Sequence, residues 1–216
     1  MCMSSEDFPA AVPIAVLATQ PVVLASGSQT RLSLLRGAGL EVVAHRPGVD
    51  EEEVKLSCKA GGLTVEETAE ALAELKASRV AAKVPAAYVI GADQMLECEG
   101  RWFDKPEDRA GAAEQLRALS GRTHRLVTTA VLFHNNSRVW HQTDQAKLTM
   151  RTLSDDFIER YLDAAGDAVL TSVGGYQLEA LGAQLFTRVA GDHFTILGLP
   201  LLPLLGFLRV RGVLPS

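Results

Sequence analysis

The chain has 216 residues, 47% of them hydrophobic and 22% charged, with a formal net charge of −5. That is enough for one globular domain with a sizeable core, and the acidic balance argues against a broad nucleic-acid surface, which needs an excess of Lys and Arg. No apolar run is long enough to span a membrane, and the three cysteines, Cys2, Cys58 and Cys98, lack metal-ligand spacing and suit reduced thiols in a cytoplasm.

The first twenty residues, "MCMSSEDFPAAVPIAVLATQ", carry Glu6 and Asp7 where a signal peptide has positive charge, and Pro13 interrupts their apolar patch. They read as an N-terminal extension (residues 1–20) and not as a signal peptide. Strand and helix signals then alternate, which predicts an α/β fold. "VVLA" reads as a strand and "TRLSLLRGAG" as a helix closed by Gly37 and Gly39. "LEVVAH" reads as a second strand and "GVDEEEV" as an acidic loop. Thr64 with Glu67 fits a capping box opening a helix through "VEETAEALAELKASRVAAK". "AAYVIGADQ" predicts a buried strand that ends at its glycine. Pro106 suits the first turn of the helix "PEDRAGAAEQLRAL", ended by Ser120 and Gly121. Two long strands follow around an "HNNS" turn. Ser154 is a cap for "DDFIERYLDAAG", and Pro200 starts a last helix with Leu201, Leu204, Leu205 and Leu208 on one face.

The chemistry-bearing residues each have a plain structural reading beside a functional one. At the strand–helix junction "LASGSQTRLSLL", Ser26 and Ser28 can donate to phosphate oxygens held at a helix N-terminus, and Arg31 can grip them through its planar fork. The plain reading is that Ser28 only caps the helix. No Walker-type lysine is present, so the junction is not a P-loop. Asp93, after an apolar strand, can hold a divalent metal or accept a proton from water, or can merely begin a turn. Glu51 lies in the acidic run, where a metal role requires it to meet Asp93 in space. Lys76 reads as an exposed helix lysine. Lys105 is either surface or a cation beside a helix start, and His124 is a general acid–base candidate or a strand-face histidine.

The order of "LASGSQTRLSLLRGAGLEV", "VDEEE", "LAELKASRV", "IGADQ", "DKPEDRAGAAEQLRALSGRTHRLVT" and "GGYQLEALGAQLFTRVAGDHFTILGLPL" resembles the Maf family of nucleoside triphosphate pyrophosphatases, over nearly all of the chain from about residue 21. The resemblance implies a single Maf-like domain over 21–216, with a mixed twisted sheet, flanking helices and two lobes around a central cleft (Maf/ITPase-like). It also implies a homodimer, and hydrolysis of nucleoside triphosphates to monophosphate and pyrophosphate with a divalent cation, Mg or Mn. On matching positions it makes Asp93 the proton acceptor. It makes Ser26, Ser28, Arg31, Lys76 and Lys105 phosphate ligands, and Glu51, with Asp93, a metal ligand. The family's usual S-x-S-P-R-R junction here reads Ser26-Gly27-Ser28-Gln29-Thr30-Arg31, so the proline and the first arginine are absent. The positions associated with base choice are Thr30, Gln94 and Glu179. The last two resemble members acting on 7-methyl-GTP, and Glu179 can accept from the guanine N–H groups. A nucleotide-binding regulator of septum formation, without catalysis, is the alternative from another class. Neither nucleic acid nor membrane is an expected partner.

Overall fold

The structure is a computed structural model that describes residues 18–215. Most of the N-terminal extension, with Cys2 in it, lies outside these residues. The fold is mixed α/β, as the alternation predicts. Among the described residues it has seven strands, β1 (Val22–Leu24), β2 (Val42–Ala44), β3 (Tyr88–Cys98), β4 (Arg101–Phe103), β5 (Thr123–His134), β6 (Ser137–Met150) and β7 (Phe186–Ala190). They form one sheet in the order β2-β1-β3-β5-β6-β7, with β4 also pairing β3. The β2–β1–β3 part is parallel and the rest antiparallel. The helices are α1 (Gln29–Gly37), α2 (Glu51–Ala60), α3 (Val65–Ala81), α4 (Arg109–Leu119), α5 (Asp155–Ala165), α6 (His193–Ile196) and α7 (Leu201–Val210). No helix among the described residues is long and apolar enough to cross a membrane.

Local chemistry places most of these ends. Ser28 caps α1 by accepting from the Arg31 N–H. Thr64 and Glu67 complete the capping box of α3, and Ser154 caps α5. On α7 the buried residues are Leu201, Leu204, Leu205 and Leu208, the expected face. The "HNNS" turn joins β5 and β6, with Asn135 and Asn136 at positive φ, a region asparagine tolerates better than most residues.

Three expectations are corrected. The acidic segment is no loop: Asp50 accepts from the Glu53 N–H and starts α2, so Glu51, Glu52 and Glu53 form a first turn, where negative charge offsets the unpaired N–H groups of a helix end. Strand β3 does not stop at Gly91 but runs on to Cys98. Helix α4 starts at Arg109 with Asp108 as its cap, and Pro106 lies before it.

Gly91 is instead where α3 crosses β3. A Cβ there would stand 2.2 Å from the Ala73 carbonyl oxygen and 2.8 Å from the Ala77 Cβ. Only a bare backbone lets the helix come this close. The two largest apolar clusters share the long strands. Leu96, Leu126 and Leu148 join the α4–α5 cluster, whereas Ile90, Leu132 and Ala130 join the α1–α7 cluster. Between these halves, one edge of β3 is left without a strand. Its neighbour β1 pairs only as far as Ile90, and β4 begins pairing at Leu96.

Candidate active site

That gap opens into a cavity of about 1000 Å³. Its wall includes Ser26, Ser28, Thr30, Arg31 and Glu51, together with Lys76, Asp93, Gln94, Lys105 and Glu179. Residues distant in the chain are thus gathered in one place, beyond the carboxyl end of parallel strand β1, where α/β sheets commonly bind ligands.

The centre is an ion-paired triad. Lys76 Nζ lies 2.6 Å from Asp93 Oδ1 and 2.7 Å from Glu51 Oε1. Lys76 is only 4% exposed and Asp93 3%, so Lys76 is no surface lysine and Asp93, in mid-strand opposite Thr129, begins no turn. Burial works to raise the Glu51 carboxyl, but the charge and hydrogen bond of Lys76, helped by Lys55 and Lys105, hold it below its ordinary pKa. Asp93 Oδ2 is buried and has no hydrogen-bond partner among the described residues. A buried acceptor left unpaired costs free energy, so it marks a place where a proton donor or a cation is missing.

The donor set fits a magnesium-type ion. Among the described residues no group of three or more His, Cys, Asp or Glu side chains forms a protein-only cage. Magnesium commonly takes one or two carboxylates and completes its shell with water and substrate phosphates. Of the carboxylates on the cavity wall, Asp93 and Glu51 are the two that converge on Lys76.

The junction serves two purposes. Ser26 Oγ accepts from the Ser28 N–H at 3.1 Å, and Ser28 Oγ from the Arg31 N–H at 3.3 Å. The plain capping reading of Ser28 therefore holds, while both hydroxyls keep a proton to donate into the cavity. Arg31 is more committed than the sequence suggests. Its Nε donates to Gly198 O at 2.7 Å and its Nη1 to Ala92 O at 3.0 Å. Part of the fork thus ties α1 to β3 and to the turn before α7, leaving Nη2 for an anion. Lys105 makes no ion pair among the described residues, and burial lowers its pKa below that of an ordinary lysine, reinforced by Arg31 and Lys76 and opposed by Glu51 and Asp93.

Gln94 is oriented by its amide nitrogen. Nε2 lies 2.9 Å from Thr128 Oγ1 and 3.0 Å from the carbonyl oxygens of Thr195 and Ile196. With acceptors crowded around that nitrogen, the side-chain oxygen is left for a ligand. Glu179 is exposed on the cavity wall. A second cavity of about 640 Å³ adjoins the first through Gln29, Thr30, Glu179 and Leu197, and is walled chiefly by apolar groups including Leu34, Phe194 and Leu201.

His124 is not part of this site. It is buried on β5, its Nε2 lies 2.7 Å from the Tyr176 hydroxyl, and burial pulls its pKa down to about 4. It is a neutral structural histidine. Lys55 was missed by the sequence reading: it lines the cavity from α2, one helical turn after Glu51. Its signal was the i, i+4 spacing, hidden while the acidic run was taken for a loop.

Known proteins resemble the chain over most of its length. The Maf-like protein family model matches residues 21–211. A "Nucleoside triphosphate pyrophosphatase" of Paramagnetospirillum magneticum (strain ATCC 700264 / AMB-1) is 56% identical over 192 residues, covering 89% of this chain and 99% of that protein. A "7-methyl-GTP pyrophosphatase" of Rhizobium etli (strain ATCC 51251 / DSM 11541 / JCM 21823 / NBRC 15573 / CFN 42) is 46% identical, covering 91% of this chain and 98% of that protein. Among solved structures, a HAM1 protein from Coxiella burnetii matches at 19% identity with a TM-score of 0.39, over 61% of this chain and 73% of that one. A family model spanning the domain, and relatives aligned over nearly their whole length, lead to one conclusion: the chain belongs to the Maf-like protein family.

Proposed function

We propose that the protein hydrolyses nucleoside triphosphates to nucleoside monophosphate and pyrophosphate, in the cytoplasm and with a divalent cation. The observation that carries this reading is the buried, unpartnered Asp93 Oδ2 in a cavity that also holds Lys76, Lys105 and the start of α1. The names of the curated relatives point the same way. A buried carboxylate facing a polyphosphate repels it unless it holds a bridging cation, and in a hydrolase it can also take a proton from water.

In this reading, water attacks the α-phosphorus and gives up a proton to Asp93 Oδ2. The bond from that phosphorus to the bridging oxygen breaks, and pyrophosphate leaves with the electron pair. Lys76 fixes Asp93 through Oδ1, so Oδ2 faces the water. Lys105, the free Nη2 of Arg31 and the Ser26 and Ser28 hydroxyls hold phosphate oxygens, and their positive ends offset the charge that builds up in the transition state. A divalent cation held by Asp93 and Glu51 would neutralise phosphate charge and stabilise the leaving group. The test is product analysis on the parent and on Asp93→Asn. The parent should release pyrophosphate, and the variant should lose about 100-fold or more in turnover while its fold stays intact, the scale of a missing general base. Orthophosphate as the product, or full activity in the variant, contradicts the reading.

For the base, we favour a guanine, with 7-methyl-GTP the foremost candidate. With its amide nitrogen committed, Gln94 offers an acceptor, and Glu179 offers another. The Watson–Crick edge of guanine presents two adjacent donors, the ring N–H and the exocyclic amine. Thymine and uracil present one N–H between two carbonyl oxygens. Once a base covers the half-buried Gln94 and the exposed Glu179, acceptors facing carbonyl oxygens instead of donors disfavour the wrong ligand. Phe194 in the adjoining apolar cavity offers an aromatic surface that Thr30 does not. The ratio of kcat/KM for 7-methyl-GTP over dTTP should exceed one and fall in Glu179→Gln. A parent preference for dTTP, or an unchanged ratio in the variant, contradicts it.

A further inference from the structure

A triphosphate brings several negative charges into the cavity, and two of the five cationic side chains on its wall are already engaged. Lys76 is shared between Asp93 and Glu51, and two nitrogens of Arg31 serve backbone carbonyls. Arg46 and Lys105 remain, and so does Lys55. Lys55 projects from α2 on the same face as Glu51, four residues earlier. Its side chain is only 16% exposed, yet its one ion-pair partner among the described residues, Asp104, is 64% exposed. Because Asp104 is so exposed, water can take over its side of the pair, which leaves Lys55 able to exchange it for another anion. Burial works against the Lys55 ammonium, but its bond to Asp104 and the charges of Asp93 and Glu51 outweigh that and hold its pKa above the ordinary value, so it stays charged within reach of the triad. The cavity also has two ends. Thr30 and Glu179 adjoin the apolar second cavity, whereas Lys55, Asp104 and Lys105 line only the first.

We propose that Lys55 is a phosphate-binding residue of this chain, which leaves Asp104 to take an oxygen of the pyrophosphate half of the substrate. Asp104 acts as a placeholder that keeps the ammonium turned inward until the anion arrives. The inference rests on the reading of the cavity as a polyphosphate site.

The placeholder makes the two partners respond in opposite directions, which a mere tether of α2 does not. The measurements are KM for a nucleoside triphosphate and the calorimetric Kd of inorganic pyrophosphate with magnesium, the second needing no turnover. Lys55→Met should raise both by about 10- to 100-fold, the worth of one charge-assisted hydrogen bond. Lys55→Arg should restore most of the affinity. Asp104→Asn should lower both constants, by up to about fivefold, because a weak competitor is gone. If Lys55→Met and Asp104→Asn shift the constants the same way, or Lys55→Met binds pyrophosphate as tightly as the parent, the inference is overturned while the proposed hydrolysis stands. A parent that releases no pyrophosphate from any triphosphate overturns both.

Discussion

His124 shows how burial decides a residue's role. Its ordinary pKa of 6.5 falls to about 4 because the ring is desolvated. It is packed between Tyr176 and Phe186, with Nδ1 buried and without a hydrogen-bond partner among the described residues. The unfolded chain therefore binds a proton between those two values that the folded chain refuses. The stabilising contribution is full above pH 6.5 and is lost as the pH falls toward 4, an effect of about 3 kcal/mol. Denaturant unfolding measured from pH 7 to pH 4.5 should show this loss, and His124→Gln should flatten that part of the slope whatever its absolute stability. An equal slope in parent and variant would place the acid sensitivity elsewhere.

Among the elements, the crossing of α3 over β3 sets the site. Gly91 lets the helix backbone lie against the strand, and Lys76, three residues beyond Ala73 on that helix, thereby reaches Asp93, two residues beyond Gly91. Gly91→Ala should destabilise the fold by about 1–3 kcal/mol, the range for forcing atoms into a packed contact, and should also reduce turnover by displacing Lys76. Urea titration and a turnover assay check this; parent-like values in both would show that the crossing tolerates a methyl group. The sequence made the starts of α3 and α5 legible, because capping depends on residues three apart, and the start of α7 legible through Pro200. It misjudged β3, where a glycine that stops a surface strand serves in a buried one as a place of close approach. It misjudged α2 because charge runs signal loops in general, and only Asp50 at the cap turns the run into a helix start. The gathering of Ser26, Glu51, Lys76 and Asp93 was legible only as an ordered resemblance. What no local pattern contains is the pairing itself: which carboxylates Lys76 meets, or that Arg31 spends two nitrogens on Gly198 and Ala92.

For the whole molecule, the sheet is parallel from β2 through β1 to β3 and antiparallel in its other pairings, and the two large apolar clusters lie along the same long strands. The cavity forms where β1 has ended and β4 has not yet begun, so Asp93 is held by a buried central strand but faces an open edge. A rigid carboxylate suits a reaction in which positioning and charge compensation supply most of the rate. The central claim is that water, with Asp93 as the acceptor of its proton, attacks the α-phosphorus. Turnover in water enriched in heavy oxygen, with mass analysis of both products, tests it most directly. The label should appear in the nucleoside monophosphate and be absent from pyrophosphate; label in pyrophosphate would place the attack at the β-phosphorus and contradict the claim.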